Sequence, residues 1–149
     1  MNRTLLVTLL LVLAFLGIAD SWYLAQSAFD GAQLLCNIAS LDGCNVVAQS
    51  EYSRVFGIPL AMFGVVFYGL LFVAASIMLT VPTRMLYRAA LVLGALGALA
   101  SFYFLFLQLV VIKALCIYCI ASLVISVLIC GITFWLWKRF APPAIVVVP

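Results

Sequence analysis

The stretch Lys113-Ala114-Leu115-Cys116-Ile117-Tyr118-Cys119 sets a single charge between two long apolar runs, and its reading decides the fold. The run before it covers about residues 86–111 and the run after it about 116–137. About 20 apolar residues in a helix cross the roughly 30 Å hydrocarbon core of a bilayer. The two runs are therefore read as antiparallel spans joined by a very short connection. The same stretch places a C-x-x-C pair at the start of the second run. A helix N-terminus offers unpaired backbone N–H groups and the positive end of the helix dipole, which favour thiolate over thiol. Lys113, three residues before Cys116, is expected to add a nearby positive charge.

Composition extends this reading to the whole chain. Of 149 residues, 69% are hydrophobic and 7% charged, far from a soluble domain with about 25% charged residues. An all-α integral membrane protein is expected, with four spans and one long extracytoplasmic loop. The absence of histidine removes the commonest general base and metal ligand. The net charge of +3 rests on seven scattered basic residues and does not point to nucleic acid. Five cysteines are the reactive groups that remain.

Outward from the central stretch, a first span is expected over about residues 5–25, closed by the aromatic pair Trp22-Tyr23. Asp20 is read as interfacial, with a placement facing a polar cavity as the alternative. Ala25-Gln26-Ser27 also has the small-x-small form of a signal-peptide cleavage site, so cleavage of this segment is a second reading. Residues 27–57 form the polar outer loop, with Cys36, Asn37, Asp42, Cys44 and Ser50. A second span follows over about 58–80, with Pro59 in its first turn. In the third span Gly94, Gly97, Ala98 and Ser101 offer small surfaces for helix packing. Residues 1–141 make one transmembrane domain, and 142–149 a short tail.

Five basic residues (Arg3, Arg84, Arg88, Lys138, Arg139) flank one set of span ends and two (Arg54, Lys113) the other, which places both termini in the cytoplasm. Cys36 and Cys44 then share the outer face with Cys116 and Cys119, while Cys130 falls mid-membrane and reads as packing. Two cysteine pairs on one face suggest a relay in which a thiolate of one pair attacks the disulfide of the other. Static disulfides stapling the loop, or a four-thiolate zinc site, are the alternatives. For a relay, the apolar surroundings of the C-x-x-C and the lack of a nucleotide-binding motif favour a lipid-soluble two-electron acceptor such as a quinone. Phe63, Phe67, Tyr68 and Phe106 are candidates to line its pocket.

Cys36-x₇-Cys44, Ser50, Phe63-Gly64-Val65-Val66-Phe67-Tyr68 and Cys116-Ile117-Tyr118-Cys119, in this order, resemble the vitamin K epoxide reductase family, its bacterial branch in particular. The resemblance implies a four-helix bundle around a quinone (ubiquinone or menaquinone), in the bacterial inner membrane, that generates disulfide bonds. By matching position it implies that Cys119 lies next to the quinone and that Cys116 is its interchange partner. Cys44 would attack Cys116, Cys36 would exchange with an outside substrate, and Ser50 would help position the loop. Animal members carry an asparagine and a tyrosine at the positions of Leu60 and Leu123, so the polar contacts to the quinone are left unassigned. The 149 residues hold none of the thioredoxin-like domain fused to some bacterial members, so a separate secreted, DsbA-like thioredoxin-fold protein is the expected electron donor. A DsbB-type oxidase has the same chemistry, but usually carries its two pairs in the reverse order.

Overall fold

The computed structural model describes residues 2–36 and 43–142. The expectations for Asn37, Asp42 and the tail from residue 143 lie outside the described residues. Helix α1 spans Arg3–Asp30, a short α2 spans Cys44–Gln49, and α3 spans Leu60–Thr80. Helix α4 spans Arg84–Phe106 and continues as a π-helical turn over Leu107–Ile112, and α5 spans Ile117–Phe140. Among the described residues, four helices, with the π turn counted into α4, are long and apolar enough to cross a membrane. They are apolar on nearly every face, as expected of helices that meet lipid on one side and protein on the other.

The order is up-down-up-down. Helix α1 packs against α3 and α5, and α4 against α5 and α3. At one end Arg3 donates to the carbonyl of Met78 at 2.7 Å, tying the start of α1 to the end of α3. The shared core comprises Leu6, Leu10, Tyr68, Leu71, Met78, Tyr87, Ile129 and Leu136, all nearly inaccessible. Lipid-facing positions include Leu5, Val12, Phe15, Val66 and Leu99.

The small residues of α4 divide into two roles. Gly94 packs against Thr133 and the backbone of Cys130 on α5, and Ala98 is buried, as expected of a helix-packing stripe. Gly97 and Ser101 instead line a cavity between α3 and α4. The divergence follows from helical geometry, since a one-residue step turns a side chain by about 100°.

Three boundaries differ from the sequence expectation. Helix α1 continues for five residues past Ala25, giving a rod about 42 Å long that outreaches the hydrocarbon core. Gly31 ends it in the left-handed conformation, and Arg54 donates to the carbonyl of Ala28 at 3.0 Å near that end. Residues 58–59 are not helical but form the second strand of a two-stranded hairpin, β1 (Arg54–Val55) and β2 (Ile58–Pro59), paired antiparallel. Phe56 and Gly57 turn it with positive φ of 51° and 81°, the pattern of a tight two-residue hairpin turn. The third span reaches Ile112 only by widening into a π turn, a feature that apolar periodicity does not reveal.

Candidate redox site at the loop end of the bundle

Cys116 is the N-cap of α5, in extended conformation, and Cys119 lies in the helix's first turn. The connection before them carries backbone N–H groups that a helix end would leave unpaired, and one residue satisfies three of them. The carbonyl of Gln108 accepts from Lys113 and Ala114, and its side-chain oxygen accepts from the N–H of Cys116 at 2.9 Å. The Gln108 side chain also hydrogen-bonds with Cys119. Gln108 is 2% exposed. Sequence reasoning passed over it, although a lone amide in an apolar span is a signal of its own.

Cys36 and Cys44 are joined in a disulfide, with Cα atoms 6.1 Å apart. Cys116, Cys119 and Cys130 are free thiols. The bond between Cys36 and Cys44 is at odds with a four-thiolate zinc site, because disulfide sulfurs are not thiolate ligands. Cys36, Cys44, Cys116 and Leu34 form one buried cluster, against which Cys119 and Tyr118 pack. Cys130 lies apart, next to Gly94 in the helix packing.

The loop reaches the C-x-x-C through backbone contact. Gly43 donates to the carbonyl of Leu115 at 3.1 Å. A Cβ on Gly43 would stand 2.8 Å from the Cβ of Ala114 and 2.9 Å from two backbone atoms of Leu115, so only glycine permits this approach. The incoming strand of the loop is held as firmly. Asn45 bonds both the N–H (2.8 Å) and the carbonyl of Leu34, and Tyr118 donates to the carbonyl of Leu35 at 2.9 Å while packing on Tyr23.

The Cys116 thiol is lowered from its ordinary range. The hydrogen bond from Cys119 is the largest cause, burial opposes it, and the backbone N–H groups of Cys119 and Tyr118 at the helix start add to it. The helix-start expectation is thus met, but the expected charge of Lys113 is not among the causes. Lys113 adopts a left-handed φ of 57° that turns the chain, and its side chain is exposed.

Beneath the loop lies a cavity of about 440 Å³, within the range of small-molecule sites. Cys44, Cys116 and Cys119 line it, and Cys36 does not. Of the other candidates, Ser50, Leu60, Phe63, Phe67 and Tyr68 line it as well. Leu123 is not in the wall, whereas Ser122 and Ser126 are, because the helical step turns those two inward. Phe106 is also outside the wall and half exposed on the bundle surface. The Ser50 hydroxyl donates to the carbonyl of Val47 at 2.7 Å, fixing the end of α2 over the cavity. Tyr68 bonds the hydroxyls of Ser122 (2.8 Å) and Ser126 (2.9 Å), and it reaches them because Gly17 leaves room for its ring. The wall is mostly apolar, and among the described residues Asp20 is its only carboxylate, lysine or arginine. Asp20 thus faces a cavity, which corrects the interfacial reading, but the cavity is mostly apolar rather than the polar one of the alternative.

A disulfide in a docked loop, a lowered thiol at a helix start and an apolar chamber touching both fit the class of membrane thiol–disulfide oxidoreductases. The chain matches the sequence model of the Vitamin K epoxide reductase family over residues 8–134 and belongs to that family. No curated protein matches the chain closely.

Proposed function

We propose that the protein is a quinone-linked thiol oxidase that makes disulfide bonds on the outer face of the bacterial inner membrane. The observation that carries this reading is the shared chamber, in which Cys44 of the loop pair and both cysteines of the C-x-x-C pair face one apolar cavity. A quinone ring fits such a wall. Its apolar body matches the Phe63, Phe67 and Leu60 surface, and Ser101 or the orphaned oxygen of Asp20 can meet its polar oxygens. Bound there, the quinone supplies a sink for two electrons and two protons.

The residues act in sequence. A reduced thioredoxin-fold partner, DsbA-like in kind, attacks Cys36 of the loop disulfide and frees the Cys44 thiolate. Cys44 then attacks Cys116 of an oxidised C-x-x-C pair, forming the Cys44–Cys116 bond and releasing Cys119 as thiolate. The partner's second thiol resolves its bond to Cys36, and Cys36 attacks Cys44, restoring the loop disulfide and leaving Cys116 and Cys119 reduced. This is the oxidation state described above. Cys119 and Cys116 pass their electron pair to the quinone and close their own disulfide. Both termini lie in the cytoplasm in this reading, as the distribution of basic residues favours.

The test is quinone reduction by purified protein supplied with a reduced dithiol partner. Loss of quinone absorbance that depends on Cys119 is the expected result. A protein that reduces neither ubiquinone nor menaquinone overturns the proposal.

A further inference from the structure

Asp20 lies ten residues before the end of α1, about 15 Å below it along the helix axis. That depth places it below the loop, in the wall of the cavity. The close approach of α3 fixes its direction, since a Cβ on Gly64 would stand 2.6 Å from the hydroxyl of the adjacent Ser21. Asp20 is thereby turned into the cavity wall, where its Oδ2 atom is buried without a hydrogen-bond partner among the described residues. Among the described residues, no lysine or arginine lines the cavity to hold it as an ion pair. Tyr68, Cys116 and Cys119 line the same cavity. A carboxyl group in a span is costly to keep, and an orphaned oxygen gives it no structural return.

We propose that Asp20 is the proton carrier between the C-x-x-C dithiol and the acceptor in the cavity. The inference rests on the quinone reading given above. Closing the Cys116–Cys119 bond breaks two S–H bonds and releases two electrons and two protons. The electron pair leaves from sulfur, while Asp20 takes up a thiol proton at Oδ2 and yields it to an oxygen of the nascent quinol. It does so once for each proton, and ends in the state in which it began. Ser122 and Ser126 of the wall are engaged with Tyr68, whereas Oδ2 of Asp20 has no hydrogen-bond partner among the described residues and is open to a proton.

The test compares purified wild-type protein with Asp20→Asn and Asp20→Glu. General acid–base groups contribute about 10²–10⁴-fold. Asn, a shape mimic that carries no proton, is expected to slow quinone reduction by at least about 100-fold, and Glu to restore most of the rate. Exchange between the loop pair and the C-x-x-C pair, followed by thiol trapping without quinone, is expected to slow far less than quinone reduction in both variants. A second readout needs no quinone at all. The infrared difference spectrum between reduced and chemically oxidised C-x-x-C pairs should contain a carboxyl C=O band that vanishes in Asp20→Asn. Wild-type quinone reduction by Asp20→Asn, a band that survives the substitution, or equal loss of both half-reactions would overturn the inference. A wild-type protein that is inert to every quinone but shows the band would overturn the proposed acceptor and leave proton exchange between Asp20 and the dithiol standing.

Discussion

The backbone N–H of Cys116 donates to Oε1 of Gln108 at 2.9 Å, so a residue of the third span fixes the first residue of the redox pair on the fourth. Gln108→Leu would leave that buried N–H unpaired, at a cost of about 1–3 kcal/mol. A lowered unfolding temperature in detergent and slower oxidation of the C-x-x-C pair are the expected results. Unchanged values in both measurements would show that the connection holds without the amide.

Gly43→Ala should uncouple the loop from the helix start, because the new methyl group meets the backbone of Leu115. A displacement of about 1 Å can cost on the order of 100-fold in a positioned reaction. Stopped-flow exchange between the loop disulfide and the C-x-x-C pair should slow accordingly, while alkylation of Cys116 should quicken as the loop lifts. Wild-type exchange in this variant would show that the contact is not needed for transfer.

Removing Cys119 should raise the Cys116 thiol, since the hydrogen bond from Cys119 is the first cause of its lowering. The reactive form is the thiolate, so a lowered thiol stays reactive to lower pH and loses reactivity as pH falls through its own value. In the wild type the midpoint of Cys116 alkylation by a small reagent should lie below that of a free cysteine, about 8.5. In Cys119→Ala it should move upward. Coincident pH profiles would contradict the assignment of cause.

Cys36→Ser should separate the two ends of the proposed relay. Exchange with the thioredoxin-fold partner should be lost, whereas quinone reduction driven by a small membrane-permeant dithiol should continue. Equal loss of both activities would contradict the shuttle role of the loop pair.

The four spans were legible because each is a long apolar run and the bilayer sets its length. The C-x-x-C at a helix start was legible for a similarly local reason, since residues 116–119 are contiguous. What escaped the sequence depends on rotation about a helix axis over distances that periodicity cannot track. Asp20 read as interfacial because its neighbours Trp22 and Tyr23 suit an interface, yet the contact of Ser21 with the bare backbone at Gly64 turns it inward. The lone amide of Gln108 was visible in the sequence, but its role was not, because its partners, the N–H groups of Lys113, Ala114 and Cys116, are brought to it by the π turn and the connection after it. Leu123 drew attention by its place in a family pattern, while the wall is built by Ser122 and Ser126 beside it.

The central claim is that electrons leave both cysteine pairs for a membrane quinone. Trapping free thiols with a maleimide reagent in intact cells, with and without quinone depletion, tests it most directly. The account predicts mixed redox states at Cys36, Cys44, Cys116 and Cys119 that collapse to fully reduced when quinones are removed. A loop disulfide and a thiol pattern that do not respond to quinone depletion would contradict it.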